Sequence, residues 1–231
     1  MTLHLTDLTR EGAPKAVLAP VSYPLPTRSD GLYRNGAKRA LDLLLVIVSA
    51  PFSLAVISIL ALAVMLGGHA PFYSQDRVGL NGRVFRIWKL RTMVHKADAK
   101  LEDYLAANPA ARREWDSTQK LKDDPRITRV GRLLRKTSLD ELPQLWNVIN
   151  GTMSLVGPRP MMVEQQPAYP GTAYFRLRPG MTGLWQISDR NDTTFAGRAA
   201  YDERYFRDLS LRMDLGIILR TVAVVCRGTG Y

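Results

Sequence analysis

The sequence predicts a mainly helical protein with one small β-hairpin, held to a membrane by a re-entrant helix-break-helix and by interfacial amphipathic helices. Three observations carry that prediction. Residues 43–66, LLLVIVSAPFSLAVISILALAVML, contain no charge, and Pro51 interrupts them. Asn81-Gly82, the favoured centre of a tight turn, lies between two apolar and basic runs. Downstream, 97–120, 139–149 and 209–225 read as helices that mix apolar and charged residues.

In chain order, residues 1–36 come first. They hold Asp7, Glu11, Asp30 and prolines at 14, 20, 24 and 26, without the apolar core of a signal peptide, and are expected to form a flexible cytoplasmic tail. The whole chain has 231 residues, 46% of them hydrophobic, which is enough for a packed core and excludes wholesale disorder. Its single cysteine, Cys226, rules out an intrachain disulfide and points to a reducing compartment.

Residues 37–68 are the expected membrane segment. The 24 uncharged residues would extend about 36 Å as a helix, enough for a hydrocarbon core of about 30 Å. A buried helix of a soluble domain is the competing reading, but such helices rarely lack a polar face for so long. Arg34, Lys38 and Arg39 precede the run and Arg77, Arg83, Arg86, Lys89 and Arg91 follow it. Positive charge on both flanks favours two cytoplasmic ends, hence a hairpin that bends at Pro51 over a single crossing. Ser49 or Ser53 could satisfy the carbonyls freed there.

Residues 69–231 would form the catalytic domain on the membrane. If 83–91 is a strand, Lys89 and Arg91 share a face and could grip phosphate oxygens; taken alone, a solvated or headgroup-facing strand is the simpler reading. The 97–120 segment splits into two short helices at Asn108-Pro109 and reads as scaffold.

The strongest local chemistry lies at 120–160. Ser138 stands three residues before Glu141, a capping-box spacing, with Pro143 in the first helical turn. Asp140 and Glu141 would then sit at the positive end of a helix, downstream of Arg132, Arg135 and Lys136. Capping alone explains an isolated pattern of this kind. Adjacent carboxylates among many cations, followed by Gly157-Pro158-Arg159-Pro160, also suit a phosphate site with a metal. The apolar residues of 142–149, Trp146 included, fit a bilayer surface or a core; 209–225 fits a docking or an interfacial helix.

The formal net charge is +11, and residues 67–231 carry 26 basic against 17 acidic groups. Such a body wants an anionic partner. Nucleic acid is not expected: there is no recognition helix, zinc-ligand spacing or aromatic strand motif, and there are only three histidines.

Several motifs in order resemble the bacterial sugar transferases of the small monotopic polyprenyl-phosphate hexose-1-phosphate type. They are Lys38-Arg39-Ala40-Leu41-Asp42, Lys89-Leu90-Arg91-Thr92-Met93, Asp124-Pro125-Arg126-Ile127-Thr128, Leu139-Asp140-Glu141-Leu142-Pro143-Gln144, Ser154 to Pro160, and Arg178 to Gln186. The resemblance implies a re-entrant helix on the cytoplasmic leaflet of a bacterial inner membrane. It implies that Asp140 is a nucleophile forming a covalent phosphosugar as uridine monophosphate leaves, and that Glu141, with Asp140, binds Mg2+. Arg159 would bind phosphate, with Lys89, Arg91 and Arg135 neutralising the diphosphate. The implied partners are a UDP-sugar (galactose or glucose), undecaprenyl phosphate and anionic phospholipid; a homo-oligomer and downstream glycosyltransferases fit the same picture. A non-catalytic scaffold on this fold, or direct transfer without an intermediate, is the alternative. Tyr201, Asp202 and Tyr205 match a stretch whose role stays open. Asp189 stands where many members have glycine, and Ala50 precedes Pro51 where many have serine.

Overall fold

The computed structural model describes residues 31–118, 121–188 and 194–226, so residues 1–30 of the expected tail and Asp189 lie outside the described residues. Helical structure begins at Tyr33, inside the stretch expected to be tail, as a wide turn (Tyr33–Ala37) that runs directly into helix α1, Lys38–Leu66. The expected break at Pro51 is not a break: the proline sits within continuous helix. A proline removes one donor and displaces one carbonyl, a local loss that an otherwise apolar helix survives. Ser49 Oγ turns back to donate to the Val46 carbonyl at 3.1 Å.

By length and composition α1 could cross a membrane. Most of it is exposed, with Leu44, Ile47, Val48, Phe52 and Ile59 all more than half accessible. Yet both of its ends dock on the same body. Near the start, Val46 packs with Ile87, Val148 and Met153. Near the end, Ala61 and Val64 pack with Leu90 and Leu134.

The start of α1 is also locked by polar contacts. Asp42, 3% exposed, accepts from Ser154 Oγ at 2.7 Å and from Leu155 N at 3.2 Å. Lys38 Nζ lies 2.7 Å from Asp214 Oδ2, to which Tyr33 Oη also donates at 2.6 Å. Tyr205 Oη lies 2.7 Å from the other Asp214 oxygen. Arg39 donates to the carbonyls of Val148 and Ile149, at the end of a helix where positive charge is favoured. The basic residues before the apolar run are thus docking groups.

Strands β1 (Phe72–Val78) and β2 (Val84–Leu90) pair antiparallel. Asn81 (φ 57°) and Gly82 (φ 74°) take the left-handed turn conformation expected of Asn-Gly. The connection is longer than two residues, however: Val78 faces Val84, leaving 79–83 as the loop. After β2, residues 92–94 pair with 126–128, closing off α2 (Ala97–Ala107) and α3 (Pro109–Thr118), which split at Asn108-Pro109 as expected and bury their own small core of Leu101, Leu105 and Ala111.

Helix α4, Arg129–Thr137, starts at a Thr128 cap whose hydroxyl accepts from Gly131 N at 2.9 Å. Gly131 is required here: a Cβ would come within 2.0 Å of the Thr92 carbonyl. Helix α5, Gln144–Ile149, leads to β3, Ser154–Val156, which pairs in parallel with β4, Gly180–Thr182. Helices α6 (Arg198–Asp208) and α7 (Leu211–Cys226) complete the described chain. On α7, Asp214 and Ile217 face inward while Leu211, Leu215, Leu219 and Val222 form an exposed apolar stripe.

Candidate active site

The expected capping box does not form. Ser138 adopts a left-handed conformation (φ 56°) that ends α4, and its side chain caps nothing. Leu139–Glu141 make one 3-10 turn, Pro143 takes the N-cap position of α5, and the carboxylates sit in the joint between two helices. There the tail of α4 supplies Arg135 and Lys136 on one side, and the first residues of α5 follow on the other.

Asp140 is 8% exposed. Lys89 Nζ lies 2.7 Å from Glu141 Oε1 and 3.7 Å from Asp140 Oδ2, bridging the pair. Arg159 Nη2 approaches the same Glu141 oxygen at 3.8 Å. Burial pushes the Asp140 carboxyl above its ordinary range; Lys89 opposes this, Glu141 adds to it, and Arg135 opposes it. Arg135 is anchored by its Nε on Thr92 Oγ1 at 2.9 Å, and burial lowers its pKa while Asp140 partly restores it. The turn carrying Arg159 is fixed by close backbone contact: a Cβ on Gly157 would lie 2.3 Å from the Arg178 carbonyl, and one on Gly180 would lie 2.1 Å from Gly157 N.

Lys89, Arg135, Arg159, Asp140 and Glu141 are therefore brought together. Arg91 is not. Strand β2 ends at Leu90, so the alternation that would align Arg91 with Lys89 stops. Its guanidinium donates instead to the Ala70 and Phe72 carbonyls, over the Tyr73 ring. Pro51 lies on α1, whose neighbouring residues line the apolar cleft described below.

Arg77, Gln144, Trp185, Gln186 and Arg198 were not expected at the site. Arg77, Lys89, Glu141, Gln144, Arg159 and Gln186 share one narrow polar cleft. The hairpin register decides Arg77. A two-residue turn would put it opposite Arg86, facing away from Lys89; the longer loop puts it opposite Phe85, on the Lys89 face. A larger cleft, about 330 Å³, lies on the other side of β2, lined by Val46, Ala50, Ser53, Trp88, Pro143 and Trp146 among others. Strand β2 is the wall between the two, with Ile87 and Lys89 toward the polar cleft and Trp88 toward the apolar one. Tyr205 and Asp202 prove to be interior supports. Tyr205 holds Asp214, and Asp202 accepts from Tyr169 Oη at 2.5 Å.

Among the described residues no group of three metal-binding side chains forms. The Asp140–Glu141 pair still has the donor chemistry of a magnesium site, since that ion is commonly held by one or two carboxylates with substrate phosphates and water supplying the rest.

The family description "Bacterial sugar transferase" matches residues 33–228. The chain belongs to this family. As a bacterial sugar transferase it is an enzyme, and its relatives are named for related work. It is 47% identical over 195 residues to the UDP-galactose-lipid carrier transferase of Erwinia amylovora, covering 84% of this chain and 41% of that one. It is 44% identical over 223 residues to the exopolysaccharide production protein ExoY of Rhizobium meliloti, covering 95% and 99%. It is 38% identical to the undecaprenyl-phosphate galactose phosphotransferase of Salmonella typhimurium, spanning all of this chain and 48% of that protein. It thus spans less than half of two relatives and nearly all of ExoY.

Proposed function

We propose that this chain transfers a hexose-1-phosphate, galactose or glucose, from a UDP-sugar to undecaprenyl phosphate at a membrane surface, as an opening step of exopolysaccharide synthesis. The observation that carries the proposal is the buried Asp140–Glu141 pair, bridged by Lys89 and approached by Arg159, with an apolar cleft across the β2 wall. A lipid phosphate has a charged head and an apolar tail, and these two compartments match its two ends. The relatives' printed substrates, UDP-galactose and undecaprenyl phosphate, support the same choice.

In the proposed first step an Asp140 carboxylate oxygen attacks the phosphorus bonded to the sugar oxygen. The bond to the bridging diphosphate oxygen breaks, and uridine monophosphate leaves with the electron pair. Lys89, Arg135 and Arg159 offset the charge of the incoming diphosphate, an attraction strengthened by burial. In the second step an oxygen of undecaprenyl phosphate attacks the same phosphorus. The acyl phosphate breaks, the lipid diphosphate-sugar forms, and the Asp140 carboxylate is restored. Glu141, with Asp140, would hold Mg2+, which supplies further neutralisation of the diphosphate.

The membrane arrangement we infer is re-entrant, with α1 in one leaflet beside the apolar stripe of α7. A helix crossing the bilayer could not bring its start to Val148 and its end to Leu134 of one cytoplasmic body. Purified chain in lipid nanodiscs with Mg2+, undecaprenyl phosphate and radiolabelled UDP-galactose or UDP-glucose should give labelled lipid. Folded protein that labels no lipid from either donor sinks the proposal. Label on the protein before acceptor is added supports the covalent route, and its absence alongside normal transfer favours direct attack.

A further inference from the structure

A second narrow cavity adjoins the polar cleft. It is lined by Trp185, Phe195, Arg198 and Asp202 among others, and Arg159 lines both. Among the described residues, four buried side-chain polar atoms lack a partner: Arg77 Nε, Trp185 Nε1, Gln186 Oε1 and Arg198 Nε. All four belong to residues of these two cavities. Buried polar atoms are almost always satisfied, so orphans concentrated around one arginine mark a place built for a ligand.

The charges point the same way. Among the described residues neither Arg77 nor Arg198 makes an ion pair. The Arg198 guanidinium carbon lies 4.1 Å from the ring centroid of Trp185 and 5.1 Å from that of Phe195, cation–π contacts that hold it beside both rings. Burial lowers the pKa of both guanidinium groups, and the nearby Arg159 lowers it further. Asp202 attracts Arg198 but offsets only part of the excess of three guanidinium groups, because burial raises its pKa to about 7 and it already accepts from Tyr169.

We infer that Arg77, Arg159 and Arg198 form a second anion compartment that holds the nucleoside-side phosphate of the donor and then the departing nucleoside monophosphate, while Lys89 and the carboxylates face the phosphate that is transferred. This rests on the reading that the donor is a nucleoside diphosphate sugar. Arg77 and Arg198 are then positioning groups. They hold the leaving half in line with Asp140, and Trp185 N–H and Gln186 Oε1 supply a donor and an acceptor beside it. Both cavities are narrow, so phosphoryl oxygens suit them better than a base.

The test uses the full chain in nanodiscs, with inorganic pyrophosphate and uridine monophosphate as probes, read by equilibrium binding and by thermal protection. Arg77→Gln and Arg198→Gln should each weaken uridine monophosphate binding at least about tenfold, the loss of one charge-assisted contact. They should raise its inhibition constant and the donor KM more than they lower kcat, while Asp140→Asn keeps the binding. Should the glutamine variants not fold, Arg77→Lys and Arg198→Lys, which keep charge and lose the planar fork, decide by the same criterion. Binding unchanged within about twofold in both variants overturns the inference, as does wild-type chain that binds neither probe. Pyrophosphate binding that is lost in the variants, with no uridine monophosphate binding by wild type, upholds the compartment and removes the nucleotide donor.

Discussion

Among the described residues, two of the buried polar regions are built to opposite standards. Where α1 meets α7, Asp42 and Asp214 are each almost inaccessible; Asp42 is answered by Ser154 and the Leu155 amide, and Asp214 by Lys38, Tyr33 and Tyr205. Around Arg159 the cations outnumber the acids that meet them, and orphaned donors and acceptors collect. Satisfied burial holds two elements together; unsatisfied burial stores an attraction for something that arrives later. The contrast separates residues that keep the fold from residues that use it.

The sharpest break between the regions should come from Asp140→Asn. Sugar-phosphate transfer should fall on the order of 10⁴-fold, while the melting temperature stays near that of wild type, measured by lipid labelling and by thermal unfolding in the same nanodiscs. Near-normal turnover would remove Asp140 as nucleophile. Asp214→Ala should do the reverse. Removing one partner of a buried ion pair costs about 3–5 kcal/mol, so the chain should unfold at much lower temperature and lose activity only in proportion to the folded fraction. A variant as stable as wild type would show that the α1–α7 lock contributes little.

Asp202 tests the contrast through pH. Its pKa is raised to about 7 in the folded chain, against 3.8 for a free carboxyl, first by burial and despite the Tyr169 bond and Arg198. The folded state therefore holds a proton that the unfolded state releases. The Asp202 contribution to stability is therefore greatest below pH 4, falls as the pH rises toward 7 and then levels. Asp202→Asn should flatten that slope, seen as a melting-temperature gain over wild type that is larger at pH 7.5 than at pH 5. An equal gain at both values would place the proton elsewhere. The smallest effect belongs to Arg91→Gln, which should change transfer by no more than about twofold, because Arg91 holds the Ala70 and Phe72 carbonyls away from the carboxylates. A loss of about tenfold or more would mean that Arg91 reaches substrate after all.

What could be seen in the sequence was what is encoded locally. The helix pair split at Asn108-Pro109, the left-handed Asn81-Gly82 turn, the apolar α1 and the closing helix all follow from short patterns. The convergence of Asp140, Glu141, Lys89 and Arg159 came through motif order. Misreadings arose where a local pattern had two physical outcomes. Ser138-x-x-Glu141 fits a capping box, but Ser138 was needed to terminate α4. Asn-Gly fits a two-residue hairpin, but the longer loop changed the register and turned Arg77 inward. The pairing of β3 with β4 joins three-residue strands far apart in the chain, and the contact of Lys38 with Asp214 spans 176 residues. No short-range signal announces either.

Helix α1 is ordinarily what one would trim to obtain a soluble catalytic fragment. Here its Val46 and Val64 are buried among residues of the globular body, and its Asp42 secures the strand that leads to Arg159. Deleting it would strip one wall from the apolar cleft and unpin that strand, and grafting a foreign anchor would restore attachment without restoring either. In this chain the means of holding on to the bilayer cannot be exchanged separately from the means of doing chemistry beside it.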